Sequence, residues 1–428
     1  MSSIRNIKGT ALRHVAILAS GAAAGQAIAI LSSPVLTRLF GTDAFGLFGT
    51  FSAITTSLGA VATLKYEQAI VLAPSTEAAQ IVFRLCCLVA LLSAALSSAA
   101  FLGVSAFAAG PFWQECFRLT YEFGGIAIFS LGLFNAANFW LTREQEFAVL
   151  GRYQIAKSLV TVSVQLLLSL VGRSGISLVL GQVSGQLLSG LLLLIYRGHF
   201  WRTTVIRGYD LTKMAAAARR YQAFPKFGAP QTIGRLLSVN IPALLLPLLY
   251  GPTQVGLFWL AYRMLILPSL ILNESVRSVF FRRASEHHRA GGDLRSMVWK
   301  ATFIMAVTSV PVVIVLALVG QDLFAFVFGA DWRDAGYYAQ ILSVGWYFEN
   351  CVLGSAAALS VREQQHKYLV LECLSVVLRA SGLLGGYFMG GVVASLILFS
   401  AAAALSSLIT IAYVQWFEHR TGDCPAHG

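Results

Sequence analysis

Leu39-Phe40-Gly41-Thr42-Asp43-Ala44-Phe45-Gly46-Leu47-Phe48 returns, 210 positions on, as Leu249-Tyr250-Gly251-Pro252-Thr253-Gln254-Val255-Gly256-Leu257-Phe258. Each copy sets two glycines five residues apart between long apolar tracts. A second landmark repeats as well. Trp113, the acid Glu115 and the run Arg143-Glu144-Gln145 return as Trp332, Asp334 and Arg362-Glu363-Gln364, all at an offset of 219. Landmarks that share an offset mark an internal duplication. The difference between the two offsets places extra residues in the second copy, between its second and fourth apolar segments.

The tracts around these landmarks have membrane length. Hydrophobic residues make up 57% of the 428-residue chain, charged residues 12%, and the mean hydropathy is +0.71. That excludes disorder and an ordinary soluble globule. Apolar stretches of about 20 residues fall near 15–37, 45–66, 81–107, 119–141, 148–171, 176–196, 227–249, 254–280, 298–319, 335–359, 368–389 and 391–416, twelve expected spans. With the N-terminus taken as cytoplasmic, 24 of the 31 Lys and Arg, Lys157 among them, are assigned to inward segments. Only Arg38, Arg118, Arg173 and Arg333 are assigned outward, and Arg235, Arg263 and Arg379 fall within spans. This asymmetry sets the orientation, with both termini inside. The net charge of +12 therefore reads as anchoring of cytoplasmic loops on anionic membrane lipids, not as a nucleic-acid footprint.

The longest polar stretch divides the chain into a first six-helix lobe (1–196), a linker (197–226) and a second six-helix lobe (227–428). Within the linker, Met214 to Tyr221 with Arg219-Arg220 reads as an interfacial helix closed by Pro225. Six spans per half make the halves parallel repeats, the architecture of secondary transporters, with the substrate path expected between them. The fold class expected is an all-α integral membrane protein of about twelve transmembrane helices in two parallel lobes. Nothing at the N-terminus reads as cleavable, because the apolar run after Arg5, Lys8 and Arg13 is too long for a signal-peptide core. The six cysteines show no CxxC spacing. His287-His288, with Glu286 and Asp293 nearby, matches no ligand spacing, so no metal is assigned.

The outward loops are short, and the chain has no GxSxG, HExxH or Walker A motif, which makes an enzyme the minority reading. A glycan polymerase or ligase would have to rely on Glu115, Arg118, Asp331, Arg333 and Asp334, the outer charges of note. Charges within the spans carry more weight, since each costs roughly 2.5–3.5 kcal/mol to insert. Arg38, Lys65, Arg235, Arg263 and Arg379 stand against Glu67, Glu274, Glu349 and Glu372. A basic lean suits an anionic substrate such as a pyrophosphate, gripped by guanidinium groups. A drug or cation antiporter should lean acidic instead. Gln231, Arg235 and Ser238 form a polar stripe on one span, beside a crowd of prolines from Pro225 to Pro252 that suits a hinge. Lys65 and Glu67, two residues apart, are not expected to share a helix face. Arg379 with Glu349, and Glu274 with Arg277, read equally well as structural ion pairs.

Several segments resemble the polysaccharide transporter family, which includes Wzx-type flippases and lies in the multidrug/oligosaccharidyl-lipid/polysaccharide (MOP) exporter superfamily. They are Phe40-Gly41 with Gly46-Leu47-Phe48; Lys65-Tyr66-Glu67-Gln68-Ala69-Ile70-Val71-Leu72 with Pro74 and Glu77-Ala78-Ala79; Tyr250-Gly251-Pro252 with Val255-Gly256-Leu257-Phe258; and Phe328-Gly329 with Trp332, Ala335-Gly336 and Tyr338. Members often carry Arg just before the Tyr-Glu pair, where Lys65 stands here. The lipid II flippase branch typically has two further spans. The resemblance implies a V-shaped, MATE-like fold in a bacterial inner membrane. It implies translocation of a polyprenyl-pyrophosphate-linked oligosaccharide for O-antigen, capsule or exopolysaccharide, with a glycan polymerase complex as a further candidate partner. Candidate substrate ligands are Arg38, Lys65, Arg235, Arg263, Arg379 and Gln231. Glu67 and Glu274 are candidates for carrying a coupling proton, Gly41, Gly46, Gly251 and Gly256 for outer-gate turns. No cofactor is expected beyond a coupling ion, H+ or Na+.

Overall fold

The computed structural model describes residues 21, 23–108, 110–196, 210–269, 294–362 and 364–422. Among them every regular element is helical. The first unit, residues 1–233, contains α1 (23–39), α2 (Thr42–Gly59), the short α3 (Glu67–Leu72), α4 (Thr76–Ser105), α5 (Pro111–Leu119), α6 (Gly125–Arg143), α7 (Phe147–Ser169), α8 (Gly175–Tyr196) and α9 (Leu211–Arg220). The second unit, residues 234–428, takes most of α10 (Ala229–Tyr250), then α11 (252–269), α12 (Arg295–Phe328), α13 (Arg333–Cys351), α14 (Leu353–Val361), α15 (Gln365–Met389) and α16 (Val392–Gly422). Six helical stretches among the described residues are long and apolar enough to cross a membrane, starting at Thr76, Pro111, Phe224, Arg295, His366 and Val392. Phe303, Val307, Leu318 and Phe326 of α12 are exposed, the outward apolar face of a multi-pass membrane protein.

In lipid, apolar side chains gain little by leaving their surroundings, so helices associate through close packing and hydrogen bonds. Each unit has a glycine seam that permits this. On α8, Gly181 and Gly185 sit against Gln165 and Thr161 of α7. On α15, Gly382 and Gly386 sit on the α16 backbone, where a methyl at Gly386 would lie 2.2 Å from Ser395 Cα. Polar ties then fix the packing. Ser52 donates to Gln182 at 2.6 Å and Gln165 to the Leu178 carbonyl at 3.0 Å in the first unit. Trp346 donates to Ser269 at 2.8 Å in the second.

The first unit's core gathers Ile70, Phe83, Trp140, Tyr153 and Met214 from α3, α4, α6, α7 and α9. The linker helix α9 is thus anchored by Met214, and Asp210 caps its N-terminus. Pro225 falls in a wide turn, Phe224–Gly228, that leads into α10. The expected span 45–66 is shorter than read. Helix α2 ends at Gly59, and residues 60–66 form turns instead. Pro242 and Pro247 lie inside α10 without ending it, and Pro311 lies likewise inside α12.

Candidate functional site

The turn after α2 builds the first unit's charged site. Leu64 and Lys65 both adopt left-handed backbone, at φ +49° and +66°. That costs about 1–2 kcal/mol per non-glycine residue. Gly132 of α6 leaves the room needed: a methyl there would meet Ala90 at 2.8 Å and Ala62 at 3.1 Å. The turn swings Lys65 back over the start of α3, and its ammonium lies 3.6 Å from the Glu67 carboxylate. This corrects the expectation that the two residues could not meet, which assumed a helix through them. Glu67 is 1% exposed, and its other carboxylate oxygen accepts from the Thr63 hydroxyl. Tyr66 donates to the Ala218 carbonyl of α9 at 3.3 Å, and the Lys65 side chain passes the open side of Gly228.

The arginine of the repeated Arg-Glu-Gln run makes structural contacts in both copies. Arg143 Nη1 donates to the carbonyls of Ile70 at 2.8 Å and Ala73 at 2.7 Å. It thereby satisfies carbonyls at the end of α3 that have no helical partner. Arg362 makes a two-pronged contact with buried Glu418, at 3.1 and 2.7 Å.

The second unit holds a polar cavity of about 230 Å³ among α10, α13, α15 and α16. Arg379 is 5% exposed, and its Nη1 lies 2.5 Å from Glu349. The same nitrogen reaches the Ser238 carbonyl at 3.5 Å, and the guanidinium lies 5.8 Å from the Phe399 ring. Arg235 and Glu372 line the same cavity. The interhelical pairing of Arg379 with Glu349, read from the sequence as one of two alternatives, is present.

Arg263 does not line this cavity. On α11 its guanidinium lies over the Trp259 ring at 4.9 Å, and no carboxylate among the described residues comes within ion-pair distance. The same holds for Lys157 in the first unit, whose ammonium sits over Phe134 at 5.7 Å. The charge count had placed Lys157 in an inward segment. It stands ten residues into α7, about 15 Å along the helix. Its position in the middle of the tract 148–171 was the signal.

The other candidates are dispersed. Arg38 is exposed near the end of α1, and Gln231 is partly buried in the first turn of α10. Glu274 and Arg277 lie outside the described residues. The four glycines are not equivalent. Gly251 has φ +88°, a conformation that favours glycine. Gly41 caps α2 in ordinary extended backbone at φ −71°, while Gly46 and Gly256 are buried within helices.

A family model described as polysaccharide biosynthesis protein matches residues 35–337. The chain belongs to this polysaccharide biosynthesis protein family. The teichuronic acid biosynthesis protein TuaB of Bacillus subtilis is 24% identical over 209 residues, which are 48% of this chain and 41% of that protein. Among solved structures, an inward-facing multidrug resistance MATE family transporter of the MOP superfamily aligns with a TM-score of 0.66 at 13% identity, over 96% of each chain. The Vibrio cholerae MATE transporter VcmN aligns at 0.63 and 12% identity, over 98% of this chain and 99% of that one. A MOP superfamily transporter from Pyrococcus furiosus, described as having a binding pocket of reverse polarity, aligns at 0.59 and 13%, over 96% of each chain. This family member therefore has the fold of MOP superfamily transporters.

Proposed function

We propose that this chain is a secondary transporter for a lipid-linked glycan. It carries a polyprenyl-pyrophosphate-linked oligosaccharide from the cytoplasmic to the outer face of a bacterial inner membrane. The observation that carries this reading is Arg263, a guanidinium within an apolar helix that rests on Trp259 and has no carboxylate beside it among the described residues. Such a charge is costly in a membrane unless a partner arrives. A phosphate supplies that partner through short, two-pronged, charge-assisted hydrogen bonds. Lys157 is a second cation of the same kind. Arg38, Lys65, Arg235, Arg379 and Gln231 remain candidate ligands, although Lys65 and Arg379 already hold carboxylates. The family assignment and the TuaB relative favour a glycan cargo.

Movement follows by alternating access, with the polyprenyl tail left in lipid. Glu67 is the candidate for coupling to H+: its protonation would release Lys65 from the 3.6 Å pair. The fold equally suits a multidrug or cation antiporter, the second reading, but a guanidinium with no carboxylate beside it among the described residues repels an organic cation. Mass spectrometry of the lipids of a deletion strain separates the two. Accumulated polyprenyl-pyrophosphate repeat units on the inner leaflet, cleared by the wild-type chain, support the glycan carrier. Unchanged lipid-linked glycans with altered drug sensitivity overturn it.

A further inference from the structure

The second unit's cavity differs in chemistry from the cations just assigned to phosphate. Its charged lining is balanced, with Arg235 and Arg379 against Glu349 and Glu372. The remaining polar lining is hydroxylic. Ser238 and Ser375 lie 3.0 Å apart, Ser375 donates to Ser406 at 3.2 Å, and Thr410 completes the same wall. Tyr368 adds an aromatic surface, and its hydroxyl interacts with Glu372. The Arg379 Nε is buried and has no hydrogen-bond partner among the described residues. At about 230 Å³ the cavity falls below the roughly 300 Å³ at which pockets for drug-sized ligands begin.

A balanced lining gains little from an anion and little from an organic cation. It suits a small uncharged molecule that donates and accepts hydrogen bonds on every side. Carboxylates accept from paired hydroxyls, guanidinium donates to them, and serine does both. We propose that this cavity binds one uncharged sugar residue, leaving the pyrophosphate to cations outside it. The inference rests on the glycan-carrier reading and adds to it where the carbohydrate is recognised. Ring hydroxyl oxygens would accept from the guanidinium groups of Arg235 and Arg379 that line the cavity, and ring hydroxyls would donate to Glu349 and Glu372.

The test is saturation-transfer NMR on the full chain in lipid nanodiscs. The probes are methyl hexosides, compared with methyl glucuronoside, inorganic pyrophosphate and tetraphenylphosphonium. Two variants report on the cavity: Ser375→Leu, which fills it, and Glu372→Gln, which keeps its volume and removes an anionic acceptor. Thr308→Ala, on the exposed face of α12, serves as control. Transfer to methyl hexosides should fall at least fivefold in both cavity variants and stay unchanged in the control. If Ser375→Leu does not fold, Glu372→Gln decides alone. Absence of transfer, transfer indifferent to Glu372→Gln, or a preference for a charged probe overturns the proposal. Hexoside transfer without lipid-linked glycan accumulation in the deletion strain would sink the carrier reading and leave the sugar site. Accumulation without transfer would sink only the site.

Discussion

Arg379 and Glu349 form a close ion pair between α15 and α13, 2.5 Å apart, with Arg379 5% exposed. Removing one member of such a pair leaves a buried charge with nothing to answer it, at a cost of about 3–5 kcal/mol. Removing both with apolar residues of similar volume is often neutral. We expect Glu349→Leu, which strands the buried Arg379 guanidinium, to lower the apparent melting temperature of the detergent-solubilised protein sharply. Arg379→Met alone should cost less, because the Glu349 it leaves behind is 23% exposed and water can reach it. The double variant should recover most of the loss. Equal and additive losses in the two single variants would mean that the pair is not coupled. Reading signs along the chain found a basic excess, but the sign of a site depends on who pairs with whom. Lys65 and Arg379 are held by Glu67 and Glu349, while Arg263 and Lys157 rest on aromatic rings. No spacing in the sequence distinguishes these cases, because two of the four partners, Glu349 and Phe134, come from other helices.

Helix α9 shows how far an element can be read from its own residues. Met214 to Tyr221 was expected to be helical, and the helix runs from Leu211 to Arg220. What the sequence left unread is its start. The Asp210 carboxylate accepts from the backbone N–H groups of Thr212 and Lys213, at 3.0 and 3.1 Å. Those bonds, the one from Lys213 first, hold the Asp210 pKa below its ordinary value. Because the folded pKa is depressed, the cap's contribution is fully present above the ordinary aspartate range. It fades as pH falls through that range to the lowered folded value. Hydrogen exchange at the amides of α9 should therefore quicken on acidification, after correction for intrinsic rates. Asp210→Ala should show the same fast exchange at neutral pH. An exchange profile of Asp210→Ala matching wild type at neutral pH would remove the cap from the account. The turn at 60–66 could not be read this way. Nothing in Leu64-Lys65 announces left-handed backbone, and the close approach of this turn to α6, at Ala62 and Thr63 beside Gly132, is made by residues far apart in the chain.

At the scale of the whole chain, duplication, hydropathy and the Tyr-Glu-Gln segment carried the fold class, because they depend on composition and order alone. The roles of the repeated residues did not follow from repetition. Arg143 and Arg362 occupy matching positions, and both hold their own unit together, one on helix-end carbonyls and the other on Glu418. The arginines of the repeated Arg-Glu-Gln run are thus scaffold, while Arg263 has no counterpart at either repeat offset. This division predicts two kinds of loss. Arg143→Ala strands carbonyls of Ile70 and Ala73, at about 1–3 kcal/mol for each buried group. Arg362→Ala leaves Glu418, 1% exposed, without its cation. Both variants should reduce the amount of protein in the membrane, and transport per molecule should stay near wild type in what remains. Arg263→Ala and Lys157→Ala should do the reverse, leaving abundance intact. If each cation gives phosphate a charge-assisted hydrogen bond worth about 1.5–3 kcal/mol, its loss lowers clearance of lipid-linked glycan by roughly tenfold or more. Quantitative immunoblotting beside lipid mass spectrometry in the complemented deletion strain separates the two classes. Normal clearance per molecule in both Arg263→Ala and Lys157→Ala would remove these cations from the transport path and return the search to Arg38 and Lys65.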